Sequence, residues 1–125
     1  MSALNLRRGE IWYVKVFPYN DDAQGGGKRR PVVILGWSAQ GPGEDSVVLT
    51  VPITAFHGAA KPRNGDVEIG GWQGAGLTEP SWIRARRLWG VDPVLIDRRR
   101  GRLGSISHDE MALVLVEIEA LFAAI

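Results

Sequence analysis

The chain has no cysteine among its 125 residues and only two histidines. Disulfide bonds and thiolate metal sites are therefore excluded, and two histidines are too few for an ordinary structural zinc site. We expect neither a metal nor a cofactor. The start of the chain lacks the apolar segment of a signal peptide, and no stretch is long and apolar enough to span a membrane. We therefore expect a soluble, cytoplasmic protein with no membrane partner.

Lysine is scarce as well: twelve of the fifteen basic residues are arginine. The net charge of +1 hides three arginine clusters, at positions 29–30, 84–87 and 98–102. A guanidinium binds phosphate through two parallel hydrogen bonds, which an ammonium cannot do. The bias towards arginine therefore favours a polyanionic partner. The alternative for any single cluster is a solvated surface without a specific role.

The apolar fraction of 45% and the length fit one compact domain over residues 1–125. Apolar and alternating segments predict six short strands, at 10–17, 31–35, 46–53, 66–69, 81–88 and 91–97, the last confined to an edge by Pro93. In the first strand, Ile11, Tyr13 and Phe17 are expected on one face. The glycine-rich segments 18–27 and 70–76 predict loops, the first of them mobile enough to act as a lid.

A C-terminal helix is the clearest predicted element. Ser107 and Glu110 form a capping-box pattern, with Ile106 and Met111 placed as a hydrophobic staple. Apolar residues then recur at three- and four-residue steps and predict one stripe that packs on the sheet: Met111, Val114, Leu115, Ile118, Leu121, Phe122 and Ile125. The predicted fold is mainly β with α, a small antiparallel barrel followed by an amphipathic helix.

Two strand ends carry polar groups that can bind phosphate. Arg30 precedes the apolar run 31–35, and Thr54 follows the run 51–53. The guanidinium stays charged at physiological pH, and the hydroxyl both donates and accepts hydrogen bonds. Together these two side chains can hold a phosphodiester.

These segments resemble the MazF/PemK family of toxin endoribonucleases. The resemblance rests on Arg8-Gly9-Glu10-Ile11-Trp12, Arg30-Pro31-Val32-Val33-Ile34, Pro52-Ile53-Thr54 and Val91-Asp92, in the family's order and spacing. It implies an SH3-like barrel that forms a homodimer, cleaves single-stranded RNA without a metal and is neutralised by a cognate antitoxin.

The resemblance assigns catalysis to Arg30 and Thr54. In some PemK-like members a later strand supplies an arginine and an aspartate. Arg84 matches that arginine, whereas Arg86 occupies the place of the aspartate, so that general base is missing.

Further residues are candidates for RNA binding. The basic ones are Lys28, Arg29, Arg86 and Arg87. Trp72, on a predicted loop, offers a stacking surface for a base. His57 follows Thr54 and is either a general base or an exposed loop residue.

Three functions are compatible with the sequence. The first is a sequence-selective endoribonuclease toxin that uses the RNA 2′-hydroxyl as nucleophile, with an antitoxin whose disordered acidic tail covers the cationic groove. The second is a growth inhibitor of the same fold that binds a protein without cutting RNA, as the related barrel CcdB binds DNA gyrase. The third is a nucleic-acid-binding barrel without toxicity.

Overall fold

Antiparallel strands and a C-terminal helix make up most of the computed structural model, which describes residues 5–17, 28–38, 46–55 and 62–123. The elements are β1 Glu10–Phe17, β2 Lys28–Ser38, β3 Val47–Ala55, β4 Asp66–Glu68, β5 Ser81–Arg84, β6 Trp89–Val91, a 3-10 turn at Pro93–Leu95, β7 Gly104–Ser105 and α1 His108–Ala123. The predicted loops at 18–27 and around His57 lie outside the described residues.

The sheet is curled because β3 pairs with three strands. Its order is β4-β5-β3-β2-β1-β7, and β6 also pairs with β3. One edge of β3 pairs with β2, while the other pairs with β6 near Leu49 and with β5 from Ile53 onward. The sheet thus divides along one edge of β3 and closes into a half-barrel. This architecture confirms the predicted antiparallel barrel with a C-terminal helix.

Apolar side chains cover both faces of the central strands. Val33 and Val51 lie in one core cluster, which includes the helix residues Met111 and Val114. Val32 and Ile34 point the other way, into a second cluster. Burial on both faces explains why β2 reads as a continuous apolar run rather than an alternating one.

The face predicted for Phe17 is wrong. Phe17 packs with Val14 in the second cluster, whereas Ile11 lies in the first. The register between β1 and β2 shifts between Val14 and Phe17. An extra residue in a strand reverses the facing of every side chain beyond it, so the alternation read from the sequence fails after Val14.

Several strand bounds differ from the prediction: β2 extends from Lys28 to Ser38, β3 ends at Ala55, and two later strands end well before their predicted bounds. β5 ends at Arg84, because Arg87 N donates to the Arg84 carbonyl over 3.0 Å and closes a turn. The predicted strand at 91–97 is wrong beyond Val91: Asp92 Oδ1 accepts from Val94 N over 3.0 Å and caps the 3-10 turn that Pro93 begins. Proline fixes φ in a range suited to a helical first turn, which explains the outcome.

The capping box of α1 is present as predicted. Glu110 N donates to Ser107 Oγ over 3.1 Å, and Ser107 N donates to Glu110 Oε1 over 2.9 Å. Glu110 Oε2 also accepts from Gly70 N over 2.7 Å, which ties the helix to the glycine loop.

The apolar stripe of the helix is only partly buried. Met111 and Val114 are buried and Ile118 packs against the first cluster, but Leu115 and Phe122 are 39% and 62% exposed. The stripe prediction is therefore wrong at these two positions, since the sheet covers mainly the first half of the helix. No helix in the described ranges is both long and apolar enough to cross a membrane.

Candidate active site

The register between β2 and β3 brings Arg30 and Thr54 together. Val32 lies opposite Pro52 in this antiparallel pair. This is the last pair at this end of the two strands, and Arg30 and Thr54 each lie two residues beyond it. A two-residue step keeps a side chain on the same face, so the two side chains share a face of the sheet. Both residues are half-buried and line a groove of about 230 Å³ at this end of the sheet.

Arg84 reaches the same threonine from β5. Thr54 is paired with Trp82 across β3 and β5, which places Arg84 two residues further along the same face. Its Nε donates to Thr54 Oγ1 over 3.1 Å, and its side chain is only 12% exposed. Because Thr54 Oγ1 accepts this bond, its own proton is directed away from Arg84. Arg84 thus contacts the Thr54 hydroxyl directly, whereas Arg30 lines the same groove as Thr54.

Asp66 holds Arg84 in place, a role that the sequence did not reveal. It lies opposite Arg84 in the β4–β5 pair. Its Oδ2 is 3.4 Å from Arg84 Nη1 and accepts from Arg63 N over 2.7 Å. With both side chains almost buried, the ion pair restricts the guanidinium to one position. Asp66 is the first residue of a three-residue strand, and no sequence spacing links it to Arg84.

Arg29 lines the same groove as Arg30 and Thr54. It pairs with Asp97, and its guanidinium carbon lies 5.1 Å from the centre of the Tyr13 ring. Lys28, the other candidate of this basic segment, is the first residue of β2. β2 thus carries Arg29 and Arg30 to the wall of the groove.

The other candidates for RNA binding that the structure describes, Arg86, Arg87 and Trp72, lie outside this groove. The stem of Arg86 packs over Gly65, and its guanidinium is 3.5 Å from Glu117 on the helix. Arg87 lines a separate depression with Phe17 and Trp89. Trp72 is half-buried against the first core cluster. His57 lies outside the described residues, so its role stays a prediction, as do those of the other three.

Asp97 organises the groove wall on the side of β1. Its Oδ2 pairs with Arg29, and its Oδ1 accepts from Arg100 N over 3.1 Å. Its own amide donates to the Tyr13 carbonyl over 2.8 Å. The backbone N–H of Arg100 and, after it, the positive charge of Arg29 lower the pKa of Asp97 below its ordinary 3.8, although burial opposes them. The carboxylate is therefore charged throughout the physiological range.

This pKa shift predicts how acid affects the fold. A carboxyl group whose pKa is depressed on folding stabilises the native state above its ordinary pKa, and that stability is lost as the pH falls through the folded-state pKa. Asp97→Asn should therefore lower the melting temperature at pH 7, and the difference from the wild type should narrow below pH 3.8. Thermal unfolding at several pH values measures this.

Asp92→Asn is the matched control, because asparagine caps a helical turn as well as aspartate does. Its melting temperature should stay close to that of the wild type at pH 7. A difference between Asp97→Asn and wild type that widens on acidification would contradict the assigned direction of the shift.

Comparison with known proteins gives one family. A family model described as "PemK-like, MazF-like toxin of type II toxin-antitoxin system" matches residues 7–122. No curated protein sequence matches the chain significantly. The match covers every described strand and all but the end of the described helix, including Arg30, Thr54 and Arg84.

Solved structures of low sequence identity share the fold. An endoribonuclease in complex with its cognate antitoxin, from a mycobacterial species, has a TM-score of 0.62 at 15% identity, covering 95% of this chain and 96% of that one. The Mycobacterium tuberculosis toxin MazF-mt6 has a TM-score of 0.58 at 18% identity, covering 89% of this chain and 96% of that one. A chain of the MazE-MazF crystal structure from Deinococcus radiodurans has a TM-score of 0.59 at 14% identity, covering 97% of each chain. At these identities the likeness establishes the fold alone.

Proposed function

Because this chain belongs to the PemK-like, MazF-like family of type II toxin-antitoxin toxins, we propose that it is an endoribonuclease that cleaves single-stranded RNA. The observation that carries the proposal is the placement of two arginines around the Thr54 hydroxyl. Arg30 lines the same groove as Thr54, and Arg84 donates to Thr54 Oγ1 over 3.1 Å. This is an arrangement that binds a phosphodiester and stabilises extra charge on it.

The reaction uses a nucleophile that RNA itself supplies. The ribose 2′-oxygen attacks the adjacent phosphorus, the bond from phosphorus to the 5′-oxygen breaks, and a 2′,3′-cyclic phosphate and a 5′-hydroxyl result. One proton leaves the 2′-hydroxyl and one is taken up by the leaving 5′-oxygen. DNA has no 2′-hydroxyl, so it can bind in the groove but is not cut by this route.

Each of the three side chains has a distinct task. Arg30 holds the non-bridging phosphate oxygens and neutralises the charge that accumulates on them. Thr54 donates a hydrogen bond to the same group and fixes its orientation for in-line attack. Arg84, restrained by Asp66 at 3.4 Å, orients the Thr54 hydroxyl and adds positive potential to the site. Preorganised charges of this kind need no rearrangement during the reaction.

A cognate antitoxin and a second copy of the chain are the proposed partners. The groove carries Arg29, Arg30 and Arg100 on its walls, which suits an acidic segment that folds as it binds. Such a segment would occupy the place of RNA and inhibit by exclusion. Two of the structural neighbours above are complexes with an antitoxin, which supports this partner.

The test is cleavage of RNA by the purified protein. Single-stranded RNA incubated with the protein in EDTA should give discrete fragments that end in a cyclic phosphate, and DNA of the same sequence should stay intact. Gel electrophoresis and end-group analysis measure both results. The metal chelator is included because the family resemblance implies a metal-independent reaction.

Intact RNA over many sequences would overturn the enzymatic proposal. If the protein still arrested growth while cellular transcripts stayed intact, the non-cleaving inhibitor would be favoured instead. Arg86 stands where some relatives carry an acidic residue, and it is engaged with Glu117 at 3.5 Å. The test therefore decides whether the reaction proceeds without that acid.

A further inference from the structure

The arginine run at 98–102 forms part of a rigid turn beside the candidate active site. Gly101 N donates to the Asp97 carbonyl over 3.2 Å, and Gly101 has a φ of +74° that suits glycine. The turn is attached to β1, because Val14 and Ile96 form an isolated bridge and Asp97 N donates to the Tyr13 carbonyl. The arginines of this turn therefore have a fixed backbone.

Two arginine guanidinium groups lie close to the aromatic ring of Tyr13. The guanidinium carbon of Arg100 lies 4.2 Å from the ring centre, and that of Arg29 lies 5.1 Å from it. Measured from this shared centre, the two carbons are at most 9.3 Å apart. Cation–π contact and the pairing of Arg29 with Asp97 hold both cations in place. The cluster contains one carboxylate and two guanidiniums, so it keeps a net positive charge.

This cluster is continuous with the proposed site of cleavage. Tyr13, Arg29 and Arg100 line the same groove as Arg30 and Thr54. Glu79 lines this groove as well and is the acidic residue among its described lining. A phosphate is repelled by Glu79 and attracted by the two arginines, so the cluster is the favoured position for a second anionic group.

We propose that Arg29 and Arg100, positioned by Tyr13 and Asp97, bind an RNA backbone phosphate next to the linkage that Arg30 and Thr54 hold. This inference rests on the proposed function, because it concerns the same substrate. Phosphate contacts fix the register of a nucleic acid without reading its sequence. The cluster thus sets which linkage lies at Arg30, while base recognition takes place elsewhere.

Affinity for an RNA that cannot be cleaved tests the inference separately from catalysis. The probe is a fluorescent, single-stranded 2′-O-methyl RNA of mixed sequence, which lacks the nucleophile. Arg100→Ala should weaken binding about 10- to 100-fold, since it removes a charge-assisted contact. The slope of log affinity against log salt should fall by about one unit. Fluorescence anisotropy at several salt concentrations measures both values.

Arg99→Ala is the matched control. It removes the same charge from the same turn, but Arg99 does not line the groove. It lines a different cavity, together with Lys15 and Val94. Its effect on affinity should be less than about threefold, as expected for an exposed charge that touches no ligand. Equal losses in the two variants would overturn the inference, because general electrostatic attraction would then explain both. So would an unchanged affinity of Arg100→Ala.

Uncharged analogues of the phosphate linkage show which RNA phosphate contacts Arg100. Methylphosphonate, which carries no charge, replaces one phosphate of the probe at a time. At one position this replacement should lower the affinity of the wild type but leave the affinity of Arg100→Ala unchanged. Identical profiles for both proteins would overturn the inference. If the wild type fails to cut natural RNA while this position-specific loss is present, the proposed function fails and the phosphate site stands.

Discussion

Alanine at position 30 should reduce the rate of RNA cleavage about 100- to 1,000-fold, equivalent to about 2.7–4 kcal/mol of transition-state stabilisation. Arg30 is half-buried and lines the groove together with Thr54. Its charge acts on the phosphate oxygens at the moment when negative charge accumulates there. The loss should therefore fall mainly on kcat. Single-turnover cleavage of a labelled RNA measures it.

Two further variants separate this effect from folding and from charge. Arg30→Lys keeps the charge but not the planar fork, so its rate should lie between those of the wild type and Arg30→Ala. Arg7→Ala removes a charge from an exposed residue outside the groove and should cleave at the wild-type rate. Wild-type cleavage by a folded Arg30→Ala protein would remove Arg30 from the mechanism.

Gly76→Ala should destabilise the fold more than any other variant proposed for this chain, lowering the free energy of unfolding by about 3 kcal/mol. Gly76 has a φ of +87°, a region that residues with a side chain rarely adopt. A Cβ there would overlap the carbonyl oxygen of Leu103 and lie 2.7 Å from its carbonyl carbon. The glycine loop would then separate from the segment before β7. Thermal unfolding should show a melting temperature lower by about 10 °C.

The same loop provides the control for this substitution. Gly74 has no positive φ, and a Cβ there would meet only the Gly71 carbonyl oxygen at 3.7 Å, an ordinary contact. Gly74→Ala should be neutral or stabilising by about 0.4–1 kcal/mol, since it restricts the unfolded chain. If the two variants unfold at the same temperature, the close approach to Leu103 does not stabilise the fold.

Local patterns in the sequence were sufficient for the elements whose cause is local. The capping box at Ser107 and Glu110 predicted the start of the helix, because both partners lie within one turn of each other. Residues Glu10–Phe17 were predicted as β1 with the bounds that the structure has. The apolar runs placed Arg30 and Thr54 near strand ends, and in the structure both lie near the end of a strand and line one groove.

The prediction failed where one residue changed the geometry. The register shift after Val14 moved Phe17 to the second core, and Pro93 began a 3-10 turn in place of a strand. β7 has two residues, which is too short for any alternation to appear. In the first two cases a single backbone event, the register shift or the turn at Pro93, outweighed the average preference of the surrounding residues.

The amino-acid order by itself determined the family, the antiparallel sheet with its closing helix, and the two polar strand ends, because each depends on neighbours along the chain. Only the folded structure decided which carboxylates form ion pairs with the arginines at the candidate site. Asp66 meets Arg84 and Asp97 meets Arg29 across separations of 18 and 68 residues. Strand register and the turn after Pro93–Leu95 create these pairs, so no local spacing in the chain encodes them.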